Sequence, residues 1–158
     1  MTASTLTKQD HAFFAGRAAA QTIATLWELG FYCDRPFDGD LEDLSLAAKA
    51  LASENDWDLT QDRANLSEEV REYAMGLPLS VLVKSDWTSP GQPMEASQFE
   101  LLLATGGPAV RVTGELDSDL EPYRPCLQFQ DWGTPWTDHP ESNVDALYWF
   151  AGLFYYGE

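Results

Sequence analysis

Residues 99–112 read Phe-Glu-Leu-Leu-Leu-Ala-Thr-Gly-Gly-Pro-Ala-Val-Arg-Val, two apolar runs joined by TGGP at 105–108. Adjacent glycines after such a run suit either a loop that cradles phosphate or a tight reversal of the chain. Phosphate loops need GxxxxGK[ST], or GxGxxG opening a helix whose free N–H groups face the anion. Here no lysine follows the glycines, and Pro108 leads into Val110-Arg-Val112, a strand-like run. The stretch is therefore a hairpin that pairs Leu101–Leu103 with Val110–Val112. Alternation sets Arg111 opposite in face to Val110 and Val112, within reach of Glu100 on the neighbouring strand. An anion-binding Arg111 is the sharper alternative.

On either side of this hairpin, Leu79–Val83 and Cys126–Gln130 have the same short, apolar, strand-like character. SPGQP at 89–93 and the acidic Asp117–Pro122 supply turns between the runs. The period differs upstream. Thr7, with Asp10 three residues on, starts a helix over 8–29 in which Phe13, Ala20, Ile23 and Trp27 share a stripe and Gly30 is the stop. Residues 31–40 read as a loop. Asp40 then caps a second helix with Leu41, Leu44, Ala48 and Leu51 on one face, ending near Glu54. Ser67 caps a short third helix, Glu68–Met75, ended by Gly76 and Pro78. Ser142, with Asp145, caps a last helix over Val144–Tyr156. That helix is apolar nearly all round and must be covered by sheet and helix or by a second subunit, which admits a homodimer.

The expected fold is α+β in one domain, 1–158. It has N-terminal helices in an acidic half (1–76), then an antiparallel meander of three or four strands and an apolar C-terminal helix packed on the sheet (77–158). The chain is 44% hydrophobic, which is ample for a core. Cys33 and Cys126 have no close Cys or His neighbours and read as two buried free thiols. No signal peptide and no apolar run of membrane-spanning length is visible, so the cytoplasm of a bacterial host is expected.

Function must come from what stands out against this frame. Acidic residues number 26 against 9 basic ones, a net charge of −17. A field of that sign repels nucleic acids and acidic membranes and attracts basic partners. Residues 34–72 carry twelve acids: Asp34, Asp38, Asp40, Glu42, Asp43, Glu54, Asp56, Asp58, Asp62, Glu68, Glu69 and Glu72. Residues 115–158 carry nine, Asp117, Asp119 and Glu121 among them, against Arg124 alone. Carboxylates spaced on a helical scaffold can imitate phosphate rows and engage a Lys/Arg groove. The plainer alternative is a solvated acidic surface.

No catalytic pattern emerges. GxSxG is absent, Cys126 lies within an apolar strand, and carboxylates are too many for one pair to be singled out. His11 and His139 lack zinc-ligand spacing, although Asp138 and Glu141 flank His139. No cofactor is expected. Gln130-Asp-Trp-Gly-Thr-Pro-Trp136 is either an aromatic recognition loop or, the preferred reading, a turn whose Trp132 and Trp136 fold back to close the core.

The segments PLSVLVKSDWTSPGQPMEASQFELLLATGGPAVRVTGELD, LQFQDWGTPWT and FAGLFYYGE, within residues 77–158, resemble a family of small proteins encoded by bacteriophages and mobile elements of Proteobacteria. The resemblance implies no activity or site residues. It does imply a setting in which inhibitors of CRISPR–Cas systems and restriction enzymes occur, some of which imitate nucleic acid. The expected function is thus a non-enzymatic inhibitor of a basic, nucleic-acid-binding defence protein. The second expectation is a phage accessory protein that docks or self-associates through its aromatic surface.

Overall fold

The computed structural model describes residues 7–34 and 41–157. It is an α+β fold. A five-stranded antiparallel sheet runs in the order β1-β2-β3-β4-β5, with β1 Ser80–Ser85, β2 Ala96–Ala104, β3 Ala109–Leu116, β4 Pro122–Gln130 and β5 Thr137–Asp138. The helices are α1 Lys8–Asp34, α2 Leu46–Glu54, α3 Arg63–Met75 and α4 Val144–Ala151.

The TGGP hairpin forms as the glycines require. Gly106 has φ +116°, a left-handed conformation that other residues seldom adopt. Leu101 pairs with Val112 and Leu102 with Arg111, and a bulge at Leu103 restores the register at Ala104–Val110. The sheet is a simple meander, one short strand longer than expected: β5, two residues long and directly following Trp136 of the QDWGTPW turn, pairs with Gln128 and Phe129 of β4.

One face of the sheet is buried. Phe99 and Leu101 of β2, Val110, Val112 and Leu116 of β3, and Leu127 and Phe129 of β4 are buried there, with α1 packed on β3 and β4, α4 on β4, and Tyr156 beyond α4 on Phe99. α1 turns Ala12, Ala20, Ile23, Leu26 and Leu29 inward. α2 and α3 pack on α1, through Ala48 and Ala52 and through Leu66, Val70 and Ala74 respectively. Among the described residues no helix packs on the opposite face of the sheet.

Several element ends differ from the sequence reading. α1 continues past Gly30 to Asp34, because Gly30 is a contact residue and not a stop. A Cβ there would lie 3.2 Å from the Trp149 ring, so the missing side chain lets α1 and α4 approach. A 3₁₀ turn, Leu41–Asp43, precedes α2, whose cap is Ser45 and not Asp40. The Ser45 hydroxyl accepts from the Ala48 N–H and donates to Glu28 of α1, tying cap to scaffold. α3 begins a turn earlier than Ser67, capped by the Asp62 carboxylate accepting from the Ala64 N–H. α4 is capped by Asn143 and ends at Gly152, eight residues in all. Beyond it the chain bends so that Tyr156 can bury its ring 4.9 Å from Phe99 and donate its hydroxyl to the Ala151 carbonyl. Val144 and Tyr148 stay exposed, so α4 is covered on one side and not all round.

His139 fastens α1 to the loop before α4. Its ring stacks on Phe13 at 4.6 Å, Nε2 lies 3.1 Å from the Phe13 carbonyl, and Nδ1 accepts from the Glu141 N–H. An accepting Nδ1 assigns the proton to Nε2, which donates to Phe13. Gly16 makes room, since a Cβ on it would sit 2.6 Å from His139 Cδ2.

Candidate functional site

The acidic half supplies the most concentrated charge. Asp38 and Asp40 lie outside the described residues. The other nine candidates are Glu42 and Asp43 in the 3₁₀ turn, Glu54 at the end of α2, Asp56, Asp58 and Asp62 in the connection to α3, and Glu68, Glu69 and Glu72 on α3. All nine are exposed. None forms an ion pair with a described residue. The cationic residues of this described stretch are Lys49, Arg63 and Arg71, and Arg63 stacks its guanidinium 5.0 Å from the Tyr32 ring.

Some of these carboxylates have local work. Asp58 accepts from the hydroxyl and N–H of Thr60, and those bonds hold its pKa below the usual carboxylate range. Asp62 caps α3, and Glu69 accepts from the Gln61 amide at 2.9 Å. Others work against the fold. The partial negative charge at a helix C-terminus disfavours acids in the last turn by about 0.3–1 kcal/mol each. Yet α1, α2 and α3 have no base there and place Asp34, Glu54 and Glu72 in those turns.

In the second half, Asp117, Asp119 and Glu121 are exposed in the turn between β3 and β4. The Asp117 carboxylate accepts from the N–H groups of Asp119 and Glu121, which explains an aspartate at that corner. Trp132 and Trp136 do not close the core, contrary to the preferred reading. Trp132 is 76% exposed at the tip of its turn, where its N–H donates to the buried Asp131 carboxylate. Positive φ at Gly133 (+81°) turns the chain there, so the indole projects outward. Trp136 lies instead on the helix-free face, with the Arg111 guanidinium 4.1 Å over its ring. Arg111 also donates to Glu100 at 2.7 Å and Gln128 at 2.9 Å. The expected cross-strand pair therefore exists, and its carboxylate offsets the Arg111 charge.

Cys126 shares that face. Partial burial, then the neighbouring Asp138, push its thiol up to about 12. Cys33 rises to about 11, chiefly by burial. Both cysteines are free, as expected, but half-buried where the sequence reading had them buried. His11 is exposed on α1. Among the described residues no group of three or more His, Cys, Asp and Glu is arranged to hold a metal ion, and no helix is long and apolar enough to cross a membrane.

Large exposed apolar side chains also lie on and beside β1, where no local pattern in the sequence marked them as surface. Trp87 is fully exposed, and with Met94 it sits in the loop between β1 and β2. Leu79, Val81, Leu82 and Val83 are exposed along β1. An apolar run resembles a core strand whether it is central or at an edge, and sheet order is not written in the run itself. Compared with protein-family models, curated proteins and solved structures, the chain matches none.

Proposed function

We propose that the chain is a non-enzymatic inhibitor, encoded by a phage or mobile element, that binds a basic nucleic-acid-binding host protein such as a CRISPR effector or a restriction enzyme. The observation that carries this reading is the state of the nine described carboxylates of 41–72, all exposed and none in an ion pair with a described residue. Glu54 and Glu72 sit where the helix dipole makes them costly, which supports a use outside the fold. Unneutralised carboxylates offer a Lys/Arg groove what a phosphate backbone offers: acceptor oxygens and counterions to release. The resemblance of residues 77–158 to phage-encoded proteins supplies the biological setting.

Affinity capture from a bacterial lysate with mass spectrometry tests the reading. A nucleic-acid-binding protein should be recovered, and its retention should fall steeply as salt rises. Reversal of Glu54, Glu68, Glu69 and Glu72 to Lys should abolish retention while the circular dichroism spectrum is kept. Recovery of no such protein, or retention indifferent to charge reversal, would sink the proposal. The exposed Trp132 favours a second reading, an accessory protein that docks through aromatic surface. In that case Trp132→Ala abolishes capture and salt hardly matters.

A further inference from the structure

β1 is an edge strand with apolar side chains on both faces. Val81 and Val83 stand opposite Leu101 and Phe99, on the side where the helices lie, yet they are 41% and 49% exposed. Leu82 stands opposite Glu100 on the helix-free face and is 56% exposed. Natural edges are shielded by charges, proline or a bulge, because a row of unpaired N–H and C=O groups invites another strand. Lys84 is the one charge in Leu79–Ser85, proline is absent from that run, and the register shift comes only at Lys84/Ser85.

We propose that this edge is a self-association surface, in which two copies of the chain pair β1 with β1 antiparallel about a two-fold axis at Leu82. Strand complementarity singles out a second copy as the occupant. With Leu82 on the axis, Leu82 meets Leu82, Val81 meets Val83 and Ser80 meets Lys84, so residues of one face stay together. No charge opposes a like charge, although the chains as wholes repel at −17 each. Continued past the strand ends, the same register sets Trp87 opposite Leu77 of the second copy and diagonal to Leu79, bringing the fully exposed indole near a side chain itself 62% exposed. The ring matters for size. Two strands of six residues make a small contact, and each buried aromatic adds about 150–250 Å² toward the roughly 1,200 Å² of a stable interface. The interface does not use the acidic helices, so it stands or falls separately from the partner proposed above.

Light scattering coupled to size exclusion, at micromolar concentrations, should give twice the mass of one chain. Association should strengthen as salt rises, the reverse of the partner's behaviour, because screening relieves the repulsion of two acidic chains. Leu82→Asp opposes two carboxylates on the axis and should weaken association at least about a hundredfold, with circular dichroism confirming that the fold is kept. Leu82→Cys should cross-link to itself under mild oxidation, since directly opposed Cα atoms lie about 4.5–5.5 Å apart, within disulfide reach. Ser80→Cys should not, its two copies being offset by about 13 Å along the strands. A monomer at every salt concentration overturns the proposal. So does a dimer that survives Leu82→Asp, or cross-linking no better at position 82 than at 80.

Discussion

Gly16→Ala sets two effects of opposite sign against each other in the middle of α1. By helix propensity alone the change should stabilise by about 1 kcal/mol, since alanine is the better helix former. The structure places the new methyl 2.6 Å from His139 Cδ2 and 3.4 Å from Phe129 Cβ. The histidine cannot step aside freely, because it is stacked on Phe13 and bonded through both ring nitrogens. Overpacking of this kind costs about 1–3 kcal/mol, and a ring pushed out of place gives up hydrogen bonds worth about 0.5–1.5 kcal/mol each. The balance is a net loss of about 1–2 kcal/mol, or a fall in Tm of about 2–8 °C for a domain of this size. In a His139→Ala background, itself destabilised, the clash is gone and the same change should become neutral or stabilising by up to about 1 kcal/mol. Urea unfolding followed by circular dichroism, with m unchanged, measures all four corners of the cycle. A Gly16→Ala protein as stable as the parent, or one whose cost is the same in both backgrounds, would show that His139 does not oppose the new methyl.

Other expectations follow from charge and burial. Glu54→Lys and Glu72→Lys should each raise stability by about 0.3–1 kcal/mol in chemical unfolding, while lowering retention of a basic partner; a loss of stability would mean the carboxylates serve the fold. Cys33 and Cys126, raised to about 11 and about 12, should resist a chromogenic disulfide reagent in the native protein at pH 8 and react on unfolding. Because these folded-state values lie above the ordinary thiol range, their contribution to stability is complete below about pH 9 and fades as pH climbs through 11–12. Asp138 has the opposite sign. Bonds from Gln128 and then Cys126 lower its pKa, so its contribution is present above the ordinary carboxylate range and lost as pH falls below it. Asp138→Asn should therefore flatten the acid limb of a stability–pH curve, which thermal melts between neutral and acid pH would show.

What could be read in the sequence was what depends on near neighbours. The Thr7–Asp10 box is there as a reciprocal pair, with Thr7 N–H donating to Asp10 at 2.8 Å and Asp10 N–H to Thr7 at 3.2 Å. The hairpin at Gly106 and the Arg111–Glu100 pair are likewise local consequences of turn chemistry and alternation. The misread positions share a different cause. Gly30 has the signature of a helix stop, yet it is glycine because Trp149, more than a hundred residues later, needs the space. Trp132 and Trp136 have the composition of a core, but Gly133 sends one indole outward and Arg111 holds the other on the helix-free face. The nine described carboxylates of 41–72 are exposed because α2 and α3 bury their alanine and leucine faces on α1. Their relation to one another depends on how those helices settle on α1, which no local pattern encodes.

The two ends of the sheet are unequal, and that limits how it can grow. At one side stands β1, six residues of open backbone; at the other stands β5, which pairs only at Thr137 and Asp138 before the chain leaves the sheet. A template with one competent end cannot propagate. Strand addition at β1 uses up the long edge, and any symmetric pair formed there would present to solvent only the β4–β5 side of each chain, where Pro122 and Pro125 interrupt the part of β4 that β5 leaves uncovered. The architecture thus sets a ceiling of one such joining per molecule, which separates a protein that can find a mate from one that polymerises.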